Sequence, residues 1–224
     1  MTPLALTSFR PFSPPTGSFL VEVYPETSAH IVSYLDNHSL REMRLVSVWA
    51  RRHAEKRLTN RFIDFGRVSA QSIEHLCNYF QHLNIRSLTL KLENIGSHQV
   101  LLWQFIAALA KNNTIQDLRV DLSNNNLVNI QPLATLLNLT RLNIHGNQIG
   151  DEGAEIISTL PALSNLSIGA NGIGAAGAAS LSRIPTLTSL DIGFNKIGSG
   201  GAASISEMLA LTKLDIAYNK IGWA

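Results

Sequence analysis

From residue 139 onward the apolar positions of this chain return every 24 residues. Leu139, Leu163, Leu187 and Leu211 open the unit, and Leu142, Leu166, Leu190 and Leu214 follow three places later. Ile144, Ile168, Ile192 and Ile216 come next, each separated from the preceding leucine by one polar residue: Asn143, Ser167, Asp191 or Asp215. That alternation has the period of two that marks a short strand with one face buried. Asn147, Asn171, Asn195 and Asn219 close each strand, and Ile149, Ile173, Ile197 and Ile221 follow, each with a glycine behind it. The spacing then loosens to that of a helix. Gly153-Ala154, Gly177-Ala178 and Gly201-Ala202 precede Ile157, Leu181 and Ile205, with Leu160, Ile184 and Met208 after them. Small residues there let a convex helix approach the sheet, so they concern packing rather than chemistry.

Earlier segments carry a looser form of the same alternation. Phe62-Ile63-Asp64-Phe65 and Leu88-Thr89-Leu90-Lys91-Leu92 read as strands, as does Val120-Asp121-Leu122, followed by Asn125 and Leu127. Ser72 to Phe80 and the stretch around Leu101 to Ala110 read as helices. From Asn125 to Asn147 the spacing is 22 residues, and from there it locks to 24. Six to seven units result. Each repeating asparagine is expected to turn inward and satisfy backbone groups that the turn leaves unpaired, because a buried amide is tolerated only when hydrogen-bonded.

The phrase L-x-x-L-x-I-x-x-N-x-I-G resembles the leucine-rich repeat signature. The resemblance implies an α/β fold: a right-handed solenoid with short parallel strands on the concave side and helices on the convex side. Such solenoids are binding platforms far more often than enzymes. The exposed strand positions form the expected target surface: Arg119, Asp121, Arg141, Asn143, His145, Asn165, Ser167, Ser189, Asp191, Lys213 and Asp215, with Phe194 and Tyr218 at its rim. Arginine and exposed aromatics are common energetic anchors of interfaces, although hot spots are a minority of any contact surface.

Three segments are expected: residues 1–19, disordered; residues 20–57, helical; and residues 58–224, the solenoid. The first 20 residues contain Pro3, Pro11, Pro14 and Pro15 and no Asp or Glu. Proline denies helix hydrogen bonds and little apolar surface is on offer, so the segment reads as a frayed terminus or a secretion tag. It lacks the basic start and apolar stretch of a cleaved signal peptide. Within 20–57, Ile31, Leu35, Leu40, Met43, Val46 and Trp49 fall at helical spacings. Ser39 is placed to cap the second helix, and Arg51, Arg52, Lys56 and Arg57 suit its negative C-terminal pole.

That helical run resembles an F-box. Ile31 and Leu35, the polar break at Asp36, Ser39-Leu40 and then Leu45-Val46-Ser47 before Trp49 follow the family pattern. Val23-Tyr24 stand where the family has Leu-Pro, with Pro25 one place later, and the gap before Trp49 is one residue shorter. The repeats, with Gly-Ala after N-x-I-G, are similar to the GALA-type leucine-rich repeats of effectors that plant-pathogenic bacteria inject. Ala154, Ala178 and Ala202 match the repeat alanine, whereas Ser158, Ser182 and Ser206 replace its final alanine. The resemblance implies that Pro25, Ile31, Leu35, Leu40, Leu45, Val46 and Trp49 supply the segment that docks a host Skp adaptor of a cullin-RING ubiquitin ligase. The repeats would recruit the target, in the host cytoplasm or nucleus. The alternative is a plain binding module whose N-terminal helices only cap the solenoid; an activity carried by a further C-terminal domain is a third reading.

Composition narrows the chemistry. Charged residues are 15% of the chain and the net charge is +2, which gives no sign of a nucleic-acid or membrane partner. The longest apolar run, Leu101 to Ala110, is too short to span a bilayer. Cys77 is the single cysteine, so no internal disulfide forms, and a reducing working compartment is expected. His75, Cys77 and His82 make a poor zinc set. Gly169 to Gly177 is glycine-rich but lacks the lysine of a phosphate loop. Asp191 and Asp215 are paired carboxylates at exposed strand positions and read as partner contacts. Neither a catalytic set nor a cofactor or metal site is expected. The chain stops at Trp223-Ala224 without a polar closing unit. A longer protein is one expectation from that, and a partner or second copy associating over the open end is the other.

Overall fold

The computed structural model describes residues 60–64, 77, 86–93 and 95–222. The F-box-like run, including Pro25, Ile31, Leu35, Leu40, Leu45, Val46 and Trp49, lies outside the described residues, as does most of the helix expected over 72–80. Seven parallel strands form one sheet whose spatial order is the chain order. They are β1 (Asn60–Asp64), β2 (Ser87–Glu93), β3 (Asp117–Asp121), β4 (Leu139–Asn143), β5 (Asn165–Ser167), β6 (Ser189–Asp191) and β7 (Lys213–Asp215). Between them run α1 (Gln99–Ala110), α2 (Gly150–Ser158), α3 (Ala175–Leu181) and α4 (Gly198–Ser206). Parallel neighbours need a crossover, and here each crossover is one repeat.

The repeat apolar positions are the core. Leu139, Leu163, Leu187, Ile144, Ile168 and Ile192 are fully buried, and Leu142, Leu166 and Leu190 nearly so. Ile157, Leu181 and Ile205 fill the space behind them, backed by Leu160, Ile184 and Met208. Each such side chain contributes about 1.5–3 kcal/mol by leaving water. At β7 the same positions open: Leu214 is 47% exposed and Ile221 43%, while Leu190 and Ile197, one repeat earlier, are each 1% exposed.

Two expectations change in detail. The first strand begins at Asn60, two residues before the predicted start. The 22-residue unit carries a 3-10 helix at Gln131–Thr135, with Pro132 in its first turn, where the later units carry α-helices. Proline lacks an N–H and suits only the start of a helix, and the shorter unit leaves less chain for a full turn count. The repeat glycines also act differently from expected. A Cβ on Gly177 would sit 2.7 Å from Ile173 Cγ2 and 3.1 Å from Ala154 Cβ, and one on Gly201 would sit 3.0 Å from Ala178 Cβ. They let each helix close on its own loop isoleucine and on the preceding helix, rather than on the sheet. Cys77 is helical, half-buried and packed against the core.

Candidate functional site

Parallel register sets the concave side chains in rows across the sheet, with neighbours in a row about 4.8 Å apart. One row runs Thr89, Arg119, Arg141, Asn165, Ser189, Lys213. The next runs Lys91, Asp121, Asn143, Ser167, Asp191, Asp215. The only charges in the first row are cationic, whereas the second carries the carboxylates of Asp121, Asp191 and Asp215 beside Lys91. These rows border a shallow concavity of 330 Å³ that extends from Thr89 to Asp191. Arg119, Asp121, Arg141, Asn143, Asn165, Ser167, Ser189 and Asp191 all line it, whereas Lys213 and Asp215 lie beyond its end. Thr89 belongs to the same wall and was missed in the sequence. The signal was there, since Leu88-Thr89-Leu90 alternates as the later strands do.

The acidic row also has a local duty. Asp121 Oδ1 accepts from the Ser123 amide at 2.9 Å, Asp191 Oδ1 from Gly193 at 3.1 Å and Asp215 Oδ1 from Ala217 at 3.0 Å. Asn143 Oδ1 accepts from His145 at 3.2 Å in the same way. Each residue thus closes a turn two positions on, a habit of Asp and Asn where a strand ends. His145 lies over Gly169: a Cβ there would be 2.6 Å from its Nδ1. Glycine at that position leaves room for the imidazole.

At the basic end the carboxylates have partners from the chain itself. Arg119 Nη2 pairs with Asp117 Oδ2 at 2.6 Å, and Lys91 Nζ with Glu93 Oε1 at 2.5 Å. The Arg119 hydrogen bond, helped by the hydroxyls of Thr140 and Ser87, holds the Asp117 carboxyl below the usual range against the opposing effect of burial. The hydrogen bond and charge of Glu93 raise the Lys91 ammonium above its usual value.

Beyond the strands lies a row in left-handed backbone: Asn124, Gly146, Ala170, Phe194 and Tyr218, with φ of +57°, +69°, +53°, +56° and +56°. Bulky side chains are uncommon there. The rings of Phe194 and Tyr218 stack with centroids 4.3 Å apart and planes at 16°, and are 59% and 74% exposed.

Behind this surface the asparagines form a ladder. Asn195 Nδ2 donates to Ile168 O at 3.1 Å and to Ile192 O at 2.9 Å, and its Oδ1 accepts from Asn171 N at 2.9 Å and Ile173 N at 3.0 Å. Asn125 and Asn147 link neighbouring repeats in the same manner. Asn171 donates three bonds, but its buried Oδ1 has no partner. These residues hold the fold and are closed to a ligand.

Among the described residues no three His, Cys, Asp or Glu side chains come together as a metal set, and no helix is long and apolar enough to cross a membrane. A family model described as Leucine Rich repeat matches residues 135–158 and 183–206. Scaffolds of that family are typically non-enzymatic. No curated protein matches the sequence. Among solved structures, an internalin from Listeria monocytogenes is similar at 20% identity with a TM-score of 0.45. The match covers 74% of this chain and 50% of that one, so the chain spans half the length of that internalin.

Proposed function

We propose that this leucine-rich repeat protein is an interaction scaffold. A protein target seats on the concave rows from Arg119 to Asp215, and the F-box-like segment over 20–57 joins that target to a host Skp–cullin–F-box ubiquitin ligase. The chain would then be an effector delivered from a bacterium into the host cytoplasm, performing no catalysis of its own. The observation that supports a concave target site is the pair of polar rows on a regular sheet, set against the convex helices α3 and α4, which are faced with Ala, Gly and Ser. The ubiquitin-ligase part is supported by the sequence resemblance from Pro25 to Trp49 alone.

Photo-crosslinking tests the assignment of the surface. A benzophenone side chain at Asn165, on the concave row, should capture the target in host-cell extract, and one at Ala203, on the exposed face of α4, should not. Arg141→Glu and Asp191→Asn, which removes the charge but keeps the oxygen that closes the turn, should weaken capture while the melting curve is kept. Capture from Ala203 alone would move the target to the convex side. A target held without any adaptor contact would leave a plain binding module.

A further inference from the structure

The carboxylates at the two ends of the concave face differ in how they are neutralised. Asp117 is paired with Arg119 and Glu93 with Lys91, each cation lying two positions away on the same strand face. Asp191 and Asp215 face each other in register across β6 and β7, and no Lys or Arg of the described residues forms an ion pair with either. Lys213 occupies the corresponding place two residues before Asp215 but is exposed and does not pair with it. Like charges directly opposite on neighbouring strands repel. Both carboxylates converge above Gly193: from the point where its Cβ would be, Asp191 Oδ1 and Asp215 Oδ1 are each 3.5 Å away. With glycine at 193 and alanine at 217 the ground between them stays low. Phe194 and Tyr218, which directly follow Gly193 and Ala217, carry stacked, exposed rings.

We propose that this corner is a receptor for one arginine side chain presented by the protein that the concave face binds, an inference that rests on the scaffold reading above. Arginine fits both walls. Its planar guanidinium carries a fork of N–H donors that can bridge two carboxylates, and it stacks on aromatic faces. Asp191 Oδ1 is engaged by the Gly193 amide and Oδ2 by Ser167 Oγ at 2.8 Å, yet each oxygen retains acceptor capacity. Asp215 spends Oδ1 on Ala217. Charge complementarity therefore favours a cation, and the adjoining rings favour the flat one. The rings also explain the cost accepted at 194 and 218, where left-handed backbone would suit glycine or asparagine better.

The test uses the full chain and N-acetyl-arginine amide as probe, with the uncharged isostere N-acetyl-citrulline amide beside it. Backbone amide signals of Gly193 and Ala217 should shift with the arginine probe and not with the citrulline one. In Asp191→Asn/Asp215→Asn the affinity should fall roughly tenfold or more as the charge-assisted bonds are lost. Asparagine keeps the oxygen that closes each turn, as Asn143 does for His145, so the fold is retained. Phe194→Ala/Tyr218→Ala should weaken the probe as well. Equal shifts from both probes, or no shifts at Gly193 and Ala217, would overturn the receptor. So would shifts with calcium chloride and none with arginine. If the crosslinked target still binds the concave face when the arginine probe fails, only the receptor is lost and the scaffold stands.

Discussion

Asp151, in the first turn of α2, accepts hydrogen bonds from the next repeat: its Oδ1 lies 2.6 Å from the Gly174 amide and 3.0 Å from that of Gly177. It caps α3 from outside, satisfying amides that a helix start leaves unpaired. The loop responds. Gly150 and Gly198 have φ of +58° and +60°, whereas Gly174 is extended, with φ of −99° and ψ of −166°. Asp151→Ala should destabilise the chain by about 0.5–2 kcal/mol, the usual cost of losing a cap. That corresponds to a melting temperature lower by roughly 1–8 °C for a protein of this size. Asp151→Asn keeps the oxygen and should recover most of the loss. Equal melts for all three proteins would remove the cap from the account.

The asparagine ladder predicts an order among its own members. Replacing Asn195 by leucine strands the Asn171 and Ile173 amides, which its Oδ1 serves, as well as the carbonyls its Nδ2 serves. Replacing Asn171 strands only carbonyls, because its Oδ1 has no partner. An unpaired buried group costs about 1–3 kcal/mol. Denaturant melts should therefore place Asn195→Leu below Asn171→Leu, and both below the parent. The reverse order would show that the two rungs are not held as described.

Acid should act on Asp117. Its carboxyl is held below the usual range by Arg119 and the neighbouring hydroxyls, so the folded state favours its ionised form more than the unfolded state does. The stability this adds is present at pH values above the ordinary carboxylate range. It disappears as pH falls through that range to the lowered folded value. Asp117→Asn should lower the melting temperature at neutral pH and converge with the parent in acid. Because the pair is partly exposed, added salt should narrow the neutral-pH gap. A gap that is constant with pH would assign the effect to lost hydrogen-bond geometry instead of charge.

The strand-and-asparagine skeleton was legible because each of its residues answers to one local rule. Leu166 and Ile168 alternate with Ser167, and Asn171 follows at a fixed place, so periodicity alone gives strand, face and register. What escaped was pairwise. That Asp151 reaches Gly174, or that Gly177 closes on Ala154, depends on how neighbouring units superpose, and no single repeat contains that information. The candidate surface was legible as a row of exposed positions. The imbalance between paired Glu93 and unpaired Asp215 was not, since Lys91 and Lys213 each stand two residues before their carboxylate in the sequence.

The adaptor proposal makes the most exposed prediction. The run from Pro25 to Trp49 carries apolar residues at spacings that serve two short helices, and so few residues cannot bury all of them among themselves. An apolar surface on a small unit calls for a partner. A purified host Skp adaptor should bind the full chain. Ile31→Ala/Leu35→Ala should weaken that binding, since truncating a buried leucine or isoleucine costs about 2–5 kcal/mol. Part of that cost falls on the fold, so circular dichroism and the melt of the repeats must be followed in the same samples. Leu40→Lys and Val46→Lys, tested one at a time, separate the two effects: a residue facing the adaptor loses binding at an unchanged melt, and one facing inward loses both. If the parent chain shows no binding at tens of micromolar, a level of about −6 kcal/mol, the ubiquitin-ligase reading falls. The concave scaffold would then stand without it, with the N-terminal helices reduced to covering the first repeat.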